Sequence, residues 1–161
     1  EGSGTGVVIK AVSDMGLTVG AGVEQIDGQS TYADKENITA YALYSMGPVS
    51  VGFQTYYLDN GGINNLVGQG TSADYSGDAY SIAFNVNDQL SLGYEVIEET
   101  QEAASSTLAG DREIKSITAA YTAGGMSLAI QNTTTDNWSM VNVVANELDI
   151  ENTSVTLAFA F

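Results

Sequence analysis

Short and long connections alternate strictly along this chain, between segments whose residues alternate with a period of two. That ordering limits the fold more than any single motif. Val49-Ser50-Val51-Gly52-Phe53-Gln54 places apolar side chains at every second position, as do Tyr80-Ser81-Ile82-Ala83-Phe84-Asn85-Val86, Leu90-Ser91-Leu92-Gly93-Tyr94-Glu95 and Met126-Ser127-Leu128-Ala129-Ile130-Gln131. A period of two sends successive side chains to opposite faces of a sheet. Nine strands are expected, at 7–13, 17–26, 37–46, 49–58, 79–87, 89–99, 113–122, 126–134 and 152–161.

Short turns are expected at 13–16, 45–48, 87–89 and 122–125, each holding the Gly, Pro, Asn or Asp that tight turns use. The other connections, 27–36, 59–78, 100–112 and 135–151, are long and polar. Strict alternation collects the short turns at one end of a meandering sheet and the long loops at the other. A soluble sandwich has no reason to sort its connections this way, whereas a transmembrane β-barrel has short periplasmic turns and longer external loops. The expected fold class is therefore all-β, an antiparallel up-and-down transmembrane β-barrel, with residues 1–161 forming one domain.

The strands after the short turns share one pattern: apolar, Ser or Thr, apolar, Gly or Ala, apolar. Leu17 to Ala21, Val49 to Phe53, Leu90 to Tyr94 and Met126 to Ile130 all follow it. Charge decides which face meets lipid. Of 20 acidic residues, only Glu24, Glu95 and Glu98 lie well inside the expected strands, and each is read as sharing the polar phase. A basic side chain on the lipid face at the midplane costs about 2–4 kcal/mol and an acidic one less, so the apolar phase must look outward. Val51, Phe53, Ile82, Phe84, Leu92, Tyr94, Leu128, Leu157 and Phe159 are then assigned to lipid. Lys10, Glu24, Ser50, Gly52, Gln54, Ser81, Ser91, Glu95, Ser127 and Gln131 are assigned to a water-filled lumen, with Lys10 as the basic counterpart of Glu24 and Glu95. Rows of Ser, Gly, Thr and Ala are too small to fill a closed barrel with side chains, which favours an aqueous interior.

Composition removes most competing functions. With 4 Lys and Arg against 20 Asp and Glu the formal net charge is -16, which opposes binding to nucleic acid. The absence of His and Cys excludes a Ser-His-Asp triad, a thiol nucleophile and the usual zinc sites, so no enzyme and no cofactor is expected. Residues 37–58 carry no charge and invite reading as a membrane helix, but Gly47-Pro48 at the centre would break one. Two strands around a turn account for the stretch.

The last residues, Ser154-Val155-Thr156-Leu157-Ala158-Phe159-Ala160-Phe161, alternate strictly and end on phenylalanine. Val155, Leu157, Phe159 and Phe161 resemble the closing strand of bacterial outer-membrane proteins, the signal read by the barrel-assembly machinery. With the hairpin series, the chain resembles the C-terminal portion of a general outer-membrane porin of alphaproteobacterial type. The resemblance implies a barrel of about sixteen strands, a homotrimer, and contact with the lipid bilayer and lipopolysaccharide of the bacterial outer membrane. It also implies a channel for passive diffusion of small hydrophilic solutes and ions. The constriction loop and basic cluster of that family have no counterpart here and are expected upstream, and nine strands are an odd number where a complete bacterial barrel has an even one. The chain is accordingly read as a fragment.

Two loop features stay open. Asp59, Asn60 and Asn64 in one loop, and Glu147 to Asn152 in another, offer oxygen ligands suited to Ca²⁺, although neither fits an EF-hand and clustered loop carboxylates are more often simply solvated. Trp138 and Met140 are read as interfacial anchors or a lid over the rim, with the anchor preferred. The alternative function is a structural or adhesive β-rich surface protein that assembles edge to edge into filaments.

Overall fold

A computed structural model describes residues 3–28, 33–61, 74–102, 109–141 and 148–159. Nine strands follow one another: β1 (Gly4–Val12), β2 (Leu17–Ile26), β3 (Lys35–Met46), β4 (Val49–Asp59), β5 (Asp74–Asn85), β6 (Leu90–Glu102), β7 (Gly110–Ala123), β8 (Met126–Asp136) and β9 (Ile150–Phe159). Each pairs antiparallel with its neighbours in sequence, giving a single sheet in the order β1 to β9. The described residues contain no helix long and apolar enough to cross a membrane, and 37–58 forms β3 and β4.

Turn chemistry sets the register. Met46 pairs with Val49, leaving Gly47-Pro48 as a two-residue loop with Gly47 at φ 57°. Positive φ at the first central residue, followed by the fixed negative φ of proline, is the type II′ geometry that matches strand twist. Ala123 pairs with Met126 across Gly124 and Gly125, whose φ values of 57° and 82° make the type I′ equivalent. Gly16, at φ 85°, lies against the Ser45 carbonyl where a Cβ has no room, and its own carbonyl accepts the Ser45 N–H at 3.0 Å. The four short connections lie at one end of the sheet. Phe159 pairs with Met126 beside the Gly124-Gly125 turn, so β9 finishes at that same end, while Phe161 lies outside the described residues.

A soluble domain buries its apolar stripes between layers. Here there is one layer, and among the described residues Met140 is the buried hydrophobic side chain, while Val51, Phe53, Ile82, Phe84, Leu92, Tyr94, Leu157 and Phe159 are exposed. Cross-strand pairs put them on one face: Val51, Ile82, Tyr94 and Ile117 share a row, as do Val49, Phe84, Leu92, Ala119, Ile130 and Val155. Phe53 and Tyr80 meet on this face with ring centroids 5.3 Å apart. An apolar wall with no packing partner suits hydrocarbon as its solvent.

The rows run obliquely. Val12, the last residue of β1, shares a row through Thr18, Leu43, Gly52, Ser81, Glu95, Ser116 and Thr133 with Asn152, the third residue of β9. Such stagger accompanies the strand tilt of a barrel wall. The outward apolar band follows the tilt, ending at Tyr57 on β4, Val96 on β6, Ile117 on β7 and Val155 on β9.

Several expected boundaries are corrected. β5 starts at Asp74, β6 continues to Glu102 and β7 starts at Gly110, so the flanks of the expected loops 59–78 and 100–112 are strand. β5, β6 and β7 have 12, 13 and 14 residues, more than the roughly 9–11 a tilted strand needs to cross a bilayer. Their polar ends rise above the apolar band. Glu98 is also corrected: it pairs with Asp78 and Glu113 on the outward face, in the phase of Leu92, Tyr94 and Val96.

Candidate pore-lining face

The inner face is built from the other residue of each pair. Ser50, Gly52, Gln54, Ser81, Ser91, Glu95, Ser127 and Gln131 all share it, as do Lys10 and Glu24, joined row by row from β1 to β9. The structure therefore groups every sequence-assigned lumen residue on one side. Hydroxyl and amide groups bridge adjacent strands there: Ser45 to Ser50 at 2.8 Å, Ser116 to Thr133 at 2.8 Å, Thr122 to Ser127 at 3.1 Å, Gln131 Nε2 to Ser116 Oγ at 3.3 Å and Gln54 Nε2 to Thr39 Oγ1 at 3.1 Å. These bonds hold side chains against the wall. Glu95 sits between Ser81 and Ser116 in its row and lines a hollow of about 230 Å³ with Ser50, Gly93 and Gln131. Glu24 accepts a hydrogen bond from Asn37 Nδ2 at 3.1 Å.

Lys10 is not the only cation on this face. Lys35, opposite Ile26, and Arg112, opposite Glu99, occupy the same side. Arg112 donates through Nε, at 2.8 Å, and through Nη2 to Glu99 Oε2, while the Tyr56 hydroxyl donates to Glu99 Oε1. Tyr56 reaches across because Gly77 lies between them in the row, where a Cβ would stand 2.5 Å from Tyr56 Cζ. The Arg112 guanidinium in turn lies over the Trp138 ring, 5.1 Å from its centroid. Sequence reading missed this network because its partners are 13 and 43 residues apart. The alternation of 110–123 was the signal available.

The reading of Met140 is corrected as well. Met140 is 4% exposed and so is not an anchor in the headgroup zone, while Trp138, 49% exposed, stacks on an inner-face arginine. Asn137 holds the start of this loop: Nδ2 donates to the carbonyls of Asp111, at 2.8 Å, and Val141, at 3.0 Å, and Oδ1 accepts the Val141 N–H at 3.2 Å.

Of the residues read as Ca²⁺ ligands, Asn64 and Glu147 lie outside the described residues. Asp59 Oδ1 accepts the Gly61 N–H at 2.8 Å, a local turn, and the Asn60 N–H donates to Asp74 Oδ1 at 3.1 Å. Glu151 and Asn152 belong to β9, where Glu151 accepts from Asn132 Nδ2 at 2.9 Å. Among the described residues no group of three or more carboxylates is set to hold a metal ion. Val155, Leu157 and Phe159 share the outward face of β9.

No family model and no curated protein matches the sequence. Solved structures do match. In-vitro folded OmpT, an outer membrane protein of Vibrio cholerae, superposes with a TM-score of 0.74 at 12% identity over 98% of this chain and 55% of its own. Outer-membrane expressed OmpT of Vibrio cholerae gives 0.74 at 15% identity over 99% and 56%. The fold is that of a bacterial outer-membrane β-barrel, and this chain spans little more than half the length of those structures.

Proposed function

We propose that the chain forms part of the wall of an outer-membrane porin, a water-filled channel for passive diffusion of small hydrophilic solutes and ions. The observation that carries this reading is the inner face. Its Ser, Thr, Gln, Gly and charged rows are small and wettable, while the opposite face is apolar. No catalytic role is assigned to any inner-face residue. An apolar outward face needs a bilayer, which favours this reading over a filament assembled in water.

The described sheet pairs β1 and β9 on one side only. Unsatisfied backbone groups in hydrocarbon cost several kcal/mol each, so further strands complete the barrel in this reading. Because β1 and β9 run in the same direction, an odd number of added strands closes it antiparallel. The outward Val155, Leu157 and Phe159 support the assignment of β9 as the strand read by the assembly machinery, and a homotrimer in contact with lipopolysaccharide belongs to the same proposal. The test is reconstitution of the full-length protein in planar bilayers. Stepwise ohmic conductance is expected, and a folded barrel that passes no ions would overturn the channel.

A further inference from the structure

One hollow on the inner face is set among β1 to β4. It measures about 490 Å³ and is lined by Gly6, Val8, Gly22, Glu24, Asn37, Thr39, Gln54, Tyr56 and Leu58. Two adjacent rows make most of it: Val8, Gly22, Thr39 and Tyr56 in one, Gly6, Glu24, Asn37 and Leu58 in the next. Depth comes from the glycines, which leave the floor without side chains beside Val8. Val8 belongs to the edge strand β1, whose described residues are all exposed, and the same face also carries Val12 and Leu43. Val8, Leu58 and the Tyr56 ring supply apolar surface, and Glu24 is the one charged residue in the lining.

The polar groups are arranged so that Glu24 stays available. Gln54 bonds to Thr39, Thr39 to the Thr55 carbonyl at 3.2 Å, and the Tyr56 hydroxyl to Glu99. Asn37 donates to Glu24 Oε2, which orients the carboxylate and leaves Oε1 unengaged. Lys10 and Lys35 lie on flanking rows, yet the ion pairs among the described residues are Arg112 with Glu99 and Lys115 with Glu113. Among the described residues no cation pairs with Glu24. A pocket with an apolar body and one oriented charge selects a ligand of matching shape and opposite charge.

We propose that this hollow is a binding subsite in the pore wall for small amphipathic organic cations, with the ammonium on Glu24 and the apolar body against Val8, Leu58 and Tyr56. The inference rests on the channel reading for its access route. Its calorimetric test does not depend on conduction.

Binding of 2-phenylethylammonium to the full-length protein in detergent is measured by calorimetry, and block of ion current by the same probe is measured in planar bilayers. Saturable binding is expected, weakened at least about tenfold by Glu24→Gln and for neutral 2-phenylethanol. Gly22→Val should abolish binding. A first carbon there meets only ordinary contacts, at 3.4 Å from Val8, so the fold tolerates it while the remaining methyls fill the hollow. Equal affinity for the alcohol, equal affinity in Glu24→Gln, or no saturable binding overturns the subsite, including the case where another part of the protein fills it. Calorimetric binding without conductance would overturn the channel and keep the subsite.

Discussion

Arg112 and Trp138 form a stacked pair, the guanidinium carbon 5.1 Å from the indole centroid, that ties the β8–β9 connection to the inner wall. Arg112 is held from behind by Glu99, whose side chain is 13% exposed. Cation–π contacts contribute about 0.5–2 kcal/mol. Arg112→Ala removes this contact and also strips Glu99 of its charge partner, so a stability loss of about 2–4 kcal/mol is expected in urea titrations of the reconstituted protein. Trp138 is the single tryptophan of the chain, and its emission should shift to the red in the variant relative to a Trp138→Phe blank. Unchanged emission would mean that the stack does not form.

The hydrogen bond between Tyr56 and Glu99 depends on the absence of a side chain at Gly77. Gly77→Ala should displace the tyrosine ring and cost about 1–3 kcal/mol. Gly93→Ala serves as its control, because the nearest atom to a Cβ there is 3.9 Å away, at Thr118. Equal stability of the two variants in urea would show that Tyr56 does not cross the Gly77 position.

At the tight-turn end, Gly16 combines a φ of 85° with a backbone carbonyl packed against the Cβ position. Gly16→Ala is expected to destabilise by more than the roughly 1 kcal/mol that positive φ alone exacts, because the Ser45 strand must also move. Refolding yield into vesicles is the readout. A wild-type yield would contradict the turn geometry.

Lipid exposure can be tested by charge. Ile82 and Ser81 are neighbours on opposite faces of β5. Ile82→Arg should cost about 2–4 kcal/mol of unfolding free energy in bilayers and Ser81→Arg far less, since only the first forces a cation into hydrocarbon. Similar losses for both would invert or abolish the assignment.

The parts of this fold legible in the sequence are those where apolar and polar residues alternate. Val49 to Gln54 and Leu90 to Glu95 reveal strand, face and register at once, because a slip of one residue would turn every side chain over. Gly47-Pro48 marks its turn by backbone chemistry alone. Legibility ends where alternation loses its apolar half. Asp74, Ser76 and Asp78 continue the outward row of Tyr80, Ile82 and Phe84, yet nothing in their polarity distinguishes a strand above the bilayer from a loop. Glu98 reads as inward for a related reason: a charge within a strand suggests water, and water is available on both faces once the strand clears the membrane. The Tyr56, Glu99 and Arg112 network was beyond reach because it depends on which rows the stagger aligns. Lys35 belongs to the inner face because β3 begins there, two residues before the strand expected at 37–46.

The central claim is that one wall separates hydrocarbon from water, and spin labels read that directly. The chain has no cysteine, so single cysteines can be placed at Phe84 and Ser81, which pair with Val49 and Gly52 respectively. In the reconstituted full-length protein, power-saturation measurements should show the label at 84 accessible to oxygen in the bilayer and shielded from a water-soluble nickel chelate. The label at 81 should show the opposite. Two labels both reporting water would contradict a membrane wall, and the reversed pattern would contradict the facing of every strand.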